Sequence, residues 1–188
     1  IRLLTLILLM GSSLCHAQYS NHQLYEAYIT RDMNVWEQYI DSADWDSLDA
    51  DQRKQLLNYE YGFTAYILGI DAEKGKKMIQ RFSSHLEAIK NDIPEERYCA
   101  YLASVYSYQL ALEKNQLMKY AKLIFGNIQH AMELNANDPF VLSMQGNVEF
   151  FSPFGSKKTA LAYYQQADSL YRVAGAEYER WNRRAVQM

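Results

Sequence analysis

Ala131-Met132-Glu133-Leu134-Asn135-Ala136-Asn137-Asp138-Pro139 is the stretch that decides how this chain folds. Ala131 closes an apolar series, Asn135 to Asp138 form a polar turn, and Pro139 stands where a new helix tolerates the missing N–H. One helix ends and the next begins within these residues. Upstream, Leu117, Ala121, Ile124, Ile128 and Ala131 recur at alternating steps of four and three, the seam of a helix packed on one side.

The same pattern extends outward. Downstream, the spacing predicts helices over 138–151 and 156–173, joined by Ser152-Pro153-Phe154-Gly155, and an amphipathic helix from Ala176 to Val186 with a basic end. Upstream, Pro94 starts a helix whose first turn carries Glu95 and Glu96, favoured by the helix dipole, and Asn115 breaks it. Asp49 opens a long helix that weakens at Gly69, and a partner follows over 72–90 with Met78, Ile79, Phe82, Leu86 and Ile89 at helical spacing. Ser20 caps a helix to Ile29, Asp32 starts another to Ile40, and residues 41–51 form an acidic connector. No strand-like alternation persists. The expected fold is all-α, with about eight or nine helices.

The 131–139 junction resembles that between tetratricopeptide (TPR) repeats, where Ala-x-Glu-Leu runs into Asp/Asn-x-Asn-x-Pro. In the following pair, Gly146 falls where the first helix of a repeat uses a small residue, and Ala160, Tyr164 and Ala167 match the small–aromatic–small series of the second. Gly62 with Gly75, Ile79 and Phe82 looks like a degenerate copy. Gly62 and Gly146 are 84 residues apart, two stretched units compared with the TPR period of about 34. The middle pair has only Ala103, Ser104 and Ser107 as small candidates. The resemblance covers residues 50–175 and extends to small exported TPR-like proteins of Gram-negative bacteria. It implies a right-handed stack of antiparallel helix pairs, with three diverged pairs over 49–175, an N-terminal pair and connector over 18–48, and a capping helix over 176–188.

Residues 1–17 read as a signal peptide. Arg2 precedes the apolar run Leu3 to Met10, and small residues lead to a cut after Ala17. The run falls short of the roughly 20 residues of a membrane span. Lipid attachment at Cys15 is disfavoured because Leu14 stands where a lipobox needs Gly or Ala. The expected location is periplasmic or secreted. Loss of Arg2, the only formally charged residue of the segment, shifts net charge from −3 to −4, which argues against a nucleic-acid partner. Cys99 would then stand alone, with no internal disulfide, and is expected as a small core residue.

No catalytic, cofactor or metal set emerges. The aspartates at 41, 44, 46, 49 and 51 fail the EF-hand register: with Asp44 first, Asp49 takes the glycine position and Gln55 the glutamate position. His22, His85 and His130 lie on three predicted helices, none with a second ligand at metal spacing, and no nucleotide or hydrolase motif is present. The segment 150–155 is either an aromatic ligand lip or, the favoured reading, a turn whose phenylalanines fold back as a plug. Trp36 and Trp45 are expected to seat the N-terminal pair, and Trp181 either caps the stack or docks a partner.

The resemblance implies a non-enzymatic interaction or scaffold module of the cell envelope, holding a peptide or protein in a concave groove. Candidate groove residues are Tyr59, Tyr66, Tyr101, Tyr108 and Glu149, with Phe154 and Trp181 at the margins. Which tyrosines face the groove is left open. The alternative is a small-molecule or lipid carrier with an aromatic-lined pocket.

Overall fold

The structure, a computed structural model, describes residues 19–187; the signal-peptide reading of residues 1–17 lies outside them. Among the described residues there are nine α-helices and no strand: α1 (Asn21–Thr30), α2 (Met33–Ser42), α3 (Ala50–Leu68), α4 (Ala72–Ala88), α5 (Glu95–Leu112), α6 (Leu117–Asn135), α7 (Pro139–Phe151), α8 (Lys157–Ala174) and α9 (Arg180–Ala185). Short turns join α1 to α2, α3 to α4, α5 to α6 and α7 to α8, so each helix packs antiparallel on its successor. The chain is an all-α stack of consecutive helix pairs.

Local chemistry sets most boundaries. Ser20 and Asp49 form capping boxes with Gln23 and Gln52, Asp71 caps α4, and Ser156 caps α8. Asp138 accepts from the Phe140 and Val141 N–H groups with Pro139 in the first turn. Arg31 ends α1 in the left-handed region at φ 63, so the chain reverses tightly into α2.

Three expectations differ in detail. The acidic connector contains a 3-10 turn, Trp45–Ser47, and another, Glu177–Glu179, precedes a final helix shorter than predicted. There the Glu179 side chain turns back to accept from the Ala176 N–H. The buried face of α6 begins at Tyr120 and continues through Ile124, Ile128 and Ala131, while Leu117 is half exposed.

Alternate helices run parallel. Asn58 and Tyr61 of α3 meet Tyr101 and Tyr108 of α5 in the same order along both helices. Tyr61 also reaches α7, with its ring 5.4 Å from Phe140 and its hydroxyl 3.3 Å from Met144 Sδ. The helices α3, α5 and α7 thus form an inner layer, with α4, α6 and α8 outside. Two principal cores follow, one around Leu57, Phe82, Tyr101 and Phe140, the other around Leu24, Trp36, Tyr59 and Trp181.

Gly75 and Gly146 sit at close approaches within pairs. A β-carbon on Gly75 would lie 2.6 Å from Leu68, and one on Gly146 would lie 2.5 Å from the Tyr164 ring. Ala160 and Ala167 are buried in the α7–α8 contact, Ile79 and Phe82 in the first core. Gly62 serves a different contact. Its β-carbon would strike Trp181 at 2.6 Å and Trp36 at 2.7 Å, so its smallness admits tryptophans from outside its own pair.

Candidate functional site

The inner face is not an open groove. Residues 176–187 cross it as a strap, touching α1, α3, α5 and α8. Trp181 is its anchor, 5% exposed, with its ring centroid 5.1 Å from Trp36 and 5.7 Å from both Tyr28 and Tyr61. These aromatic contacts combine large apolar burial with edge and tilted ring geometry.

Polar contacts fix the strap's register. Asn58 Nδ2 donates to Asn182 Oδ1 at 2.9 Å, and Asn182 Nδ2 donates back to Asn58 Oδ1 at 3.1 Å. The Tyr101 hydroxyl also donates to Asn58 Oδ1, and Asn58 Nδ2 reaches the Tyr178 carbonyl. Burial holds the Tyr101 hydroxyl well above the ordinary tyrosine value, so it stays protonated as a donor.

Arg97 of α5 supplies the charged clasp. Its Nε donates to Asp138 at 2.7 Å and its Nη1 to Glu179 at 2.7 Å, with both carboxylates largely out of water. Burial opposes the Arg97 charge, but Glu179 and Asp138 outweigh it and push the guanidinium upward. The residue that ties the strap to α5 therefore also holds the cap of α7. At the far end, Arg183 Nε and Gln187 Nε2 donate to Asp168 of α8 at 2.8 and 2.6 Å.

Among the described residues, two buried polar groups lack hydrogen-bond partners, Trp181 Nε1 on the strap and the Tyr171 hydroxyl on α8. A buried donor without an acceptor costs about 1–3 kcal/mol.

A second buried cluster joins α3 to α4. The Glu60 carboxylate is wholly buried, with Arg81 Nε donating to it at 2.7 Å and His85 Nδ1 2.9 Å from both its oxygens. Trp45 stacks on the His85 ring at 3.8 Å, and Arg81 also donates to the Ile40 carbonyl. The cluster fastens the connector and α2 to the first full pair. His22 and His130 lie near exposed carboxylates, and no hydrogen bond joins Cys99 to His85 or His130 among the described residues. Cys99 is buried, which pushes its thiol upward. No group of three or more His, Cys, Asp or Glu among the described residues is placed to hold a metal.

The candidate residues therefore separate. Tyr59, Tyr101 and Trp181 are buried in the chain's own packing, and Tyr108 donates to the Tyr61 carbonyl. Tyr66 is partly exposed, near the C-terminal end of α3. Glu149 accepts from the Ser156 N–H and shapes the α7–α8 turn. That turn overturns the plug reading: Phe151 and Phe154 are 77% and 94% exposed. Gly155 lies so close to the Glu149 carbonyl that a β-carbon would sit 2.1 Å from its oxygen, a path that leaves the rings outside. Sequence reasoning missed the Arg97 clasp and the Asn58–Asn182 pair, which join residues 82 and 124 positions apart.

Comparison with known proteins finds no matching family model, no matching curated protein and no matching solved structure.

Proposed function

We propose that this chain is a non-enzymatic interaction or scaffold module of the cell envelope, related to TPR repeats and built to hold a helical peptide segment on its inner face. One observation carries the reading: the chain's own strap occupies that face as a short helix with an aromatic anchor. Trp181 fills the space above Gly62, Asn182 is read by Asn58, and Glu179 is read by Arg97. A partner helix presenting an aromatic ring between an acidic and an amide side chain would satisfy the same groups. Helix-in-groove recognition works by such spaced anchors. The unpartnered Trp181 indole N–H leaves room for a partner to fit better than the strap does.

The apolar run Leu3 to Met10 supports the envelope assignment. The carrier alternative has less support, because rings fill the space between α3, α5 and α7. Two surface depressions among the described residues, about 640 and 670 Å³, are open to solvent.

The test is a labelled peptide spanning residues 176–188 added to the full chain. Saturable binding, lost when the peptide carries Trp181→Ala, is expected. No binding at any peptide concentration, in the wild type or in a chain whose own strap is loosened by Asp168→Asn, would overturn the reading.

A further inference from the structure

Eight of the ten lysines, at positions 74, 76, 77, 114, 119, 122, 157 and 158, lie in or just after the turns that join α3 to α4, α5 to α6 and α7 to α8. Antiparallel pairing with alternate helices parallel puts these three turns at one end of the stack. Four of the eight, Lys74, Lys119, Lys157 and Lys158, occupy the first turns of α4, α6 and α8, where the helix dipole disfavours a cation. Neither α6 nor α8 has an acidic residue in its first turn. Helix stability therefore does not account for the placement.

The acidic side chains at this end are largely engaged. Glu37 holds Lys74, Asp71 caps α4, Glu113 accepts from Tyr120 and Gln116, and Glu149 accepts from the Ser156 N–H. Glu73 and Asp32 remain. Lys76, Lys77, Lys114, Lys122 and Lys158 are exposed and make no ion pair with a described residue. The opposite end carries the aspartates of the connector together with Asp92, Glu95 and Glu96. A chain of net charge −3 thus turns a positive face in one direction.

The same end groups four exposed large apolar side chains, whereas Val173, 85% exposed, stands alone at the other end of α8. Ile70, Met118, Phe151 and Phe154 project from its turns at 64%, 82%, 77% and 94% exposure. Lys157 Nζ lies 3.4 Å from the Phe150 ring centroid, a cation held against an aromatic face. These rings stand on turn tips rather than around a concave seat, as a protein partner's side chain would require. Apolar tips and lysines sharing one end match the boundary of a bilayer, where rings enter the acyl edge and ammonium groups meet lipid phosphates.

We infer that this end of the stack is a peripheral docking face for an anionic lipid surface, with Phe151 and Phe154 as the inserting side chains and the turn lysines as the headgroup contacts. This goes beyond the inner-face reading and does not depend on it.

The test uses the full chain with vesicles of phosphatidylcholine, alone or with about one third phosphatidylglycerol, and Phe154→Trp as reporter. The introduced indole is expected to be quenched by brominated acyl chains only when phosphatidylglycerol is present, and less so as salt rises from about 50 to 500 mM. Lys157→Gln with Lys158→Gln should weaken binding about 20-fold, and Phe151→Ser with Phe154→Ser should abolish insertion. Both pairs are exposed, so an unchanged far-ultraviolet circular dichroism spectrum confirms that the variants fold. Binding without quenching of that indole, or equal binding to both vesicle types, would assign attachment to another segment and overturn the inference. So would lysine-dependent capture of an acidic polypeptide without vesicle binding.

Discussion

Asn58 and Asn182, 124 residues apart, exchange amide hydrogen bonds inside the protein. Their pairing joins the first full helix pair to the end of the chain. It fixes the strap's register because each amide offers both a donor and an acceptor to the other. Asn182→Leu leaves Asn58 short of partners in a buried site and is expected to cost about 2 kcal/mol. Urea unfolding of the single variant checks this. A loss within about 0.5 kcal/mol, the range of surface substitutions, would mean the pair is solvated.

Arg97 stands between two carboxylates that have little water to fall back on. Arg97→Ala leaves both without their cation and is expected to cost about 3–5 kcal/mol. Far-ultraviolet circular dichroism during denaturation measures it. Glu179→Gln should cost less, since Arg97 keeps Asp138.

Gly62→Ala places a methyl group against two tryptophan rings. Overpacking of this kind costs about 1–3 kcal/mol. The added carbon should be tolerated better in a Trp181→Phe background, where part of the indole is gone. Equal cost in both backgrounds would show that Trp36 alone sets the limit.

The last turn of the strap should respond to acid. Hydrogen bonding from the Arg183 guanidinium, with help from Gln187 and Arg172, holds the Asp168 carboxyl below its ordinary value of 3.8. A depressed carboxyl contributes fully above that ordinary value and loses its contribution as pH falls through the lower folded-state value. Protection of the amides near Gln187, measured against the intrinsic exchange rate, should therefore fall as the solution is acidified below 3.8, while Asp168→Asn removes the dependence. Exchange in the wild type that follows only the intrinsic chemical rate would contradict this.

The helices and their pairing were legible because their signals are local. Asp138 and Pro139 set the α6–α7 junction through contacts within three residues, and the seam from Ile124 to Ala131 follows from helical spacing alone. The strap was not legible. Residues 176–186 read as an amphipathic helix with a basic end, and nothing nearby in sequence marks Trp181 as the ring that Gly62 admits. Gly62 itself suggested a repeat glycine, since a small residue does not specify which neighbour needs the space. The aromatic turn misled for a related reason: composition favours burial of Phe151 and Phe154, but the path through Gly155 and Glu149 keeps them outside.

The most direct test of the strap is a double-mutant cycle on Trp36 and Trp181, whose rings meet edge to face at 5.1 Å. Trp36→Phe, Trp181→Phe and their combination, compared by equilibrium unfolding, should show a coupling of about 1 kcal/mol. Additivity within about 0.3 kcal/mol would place the two rings apart and leave the inner face without its occupant.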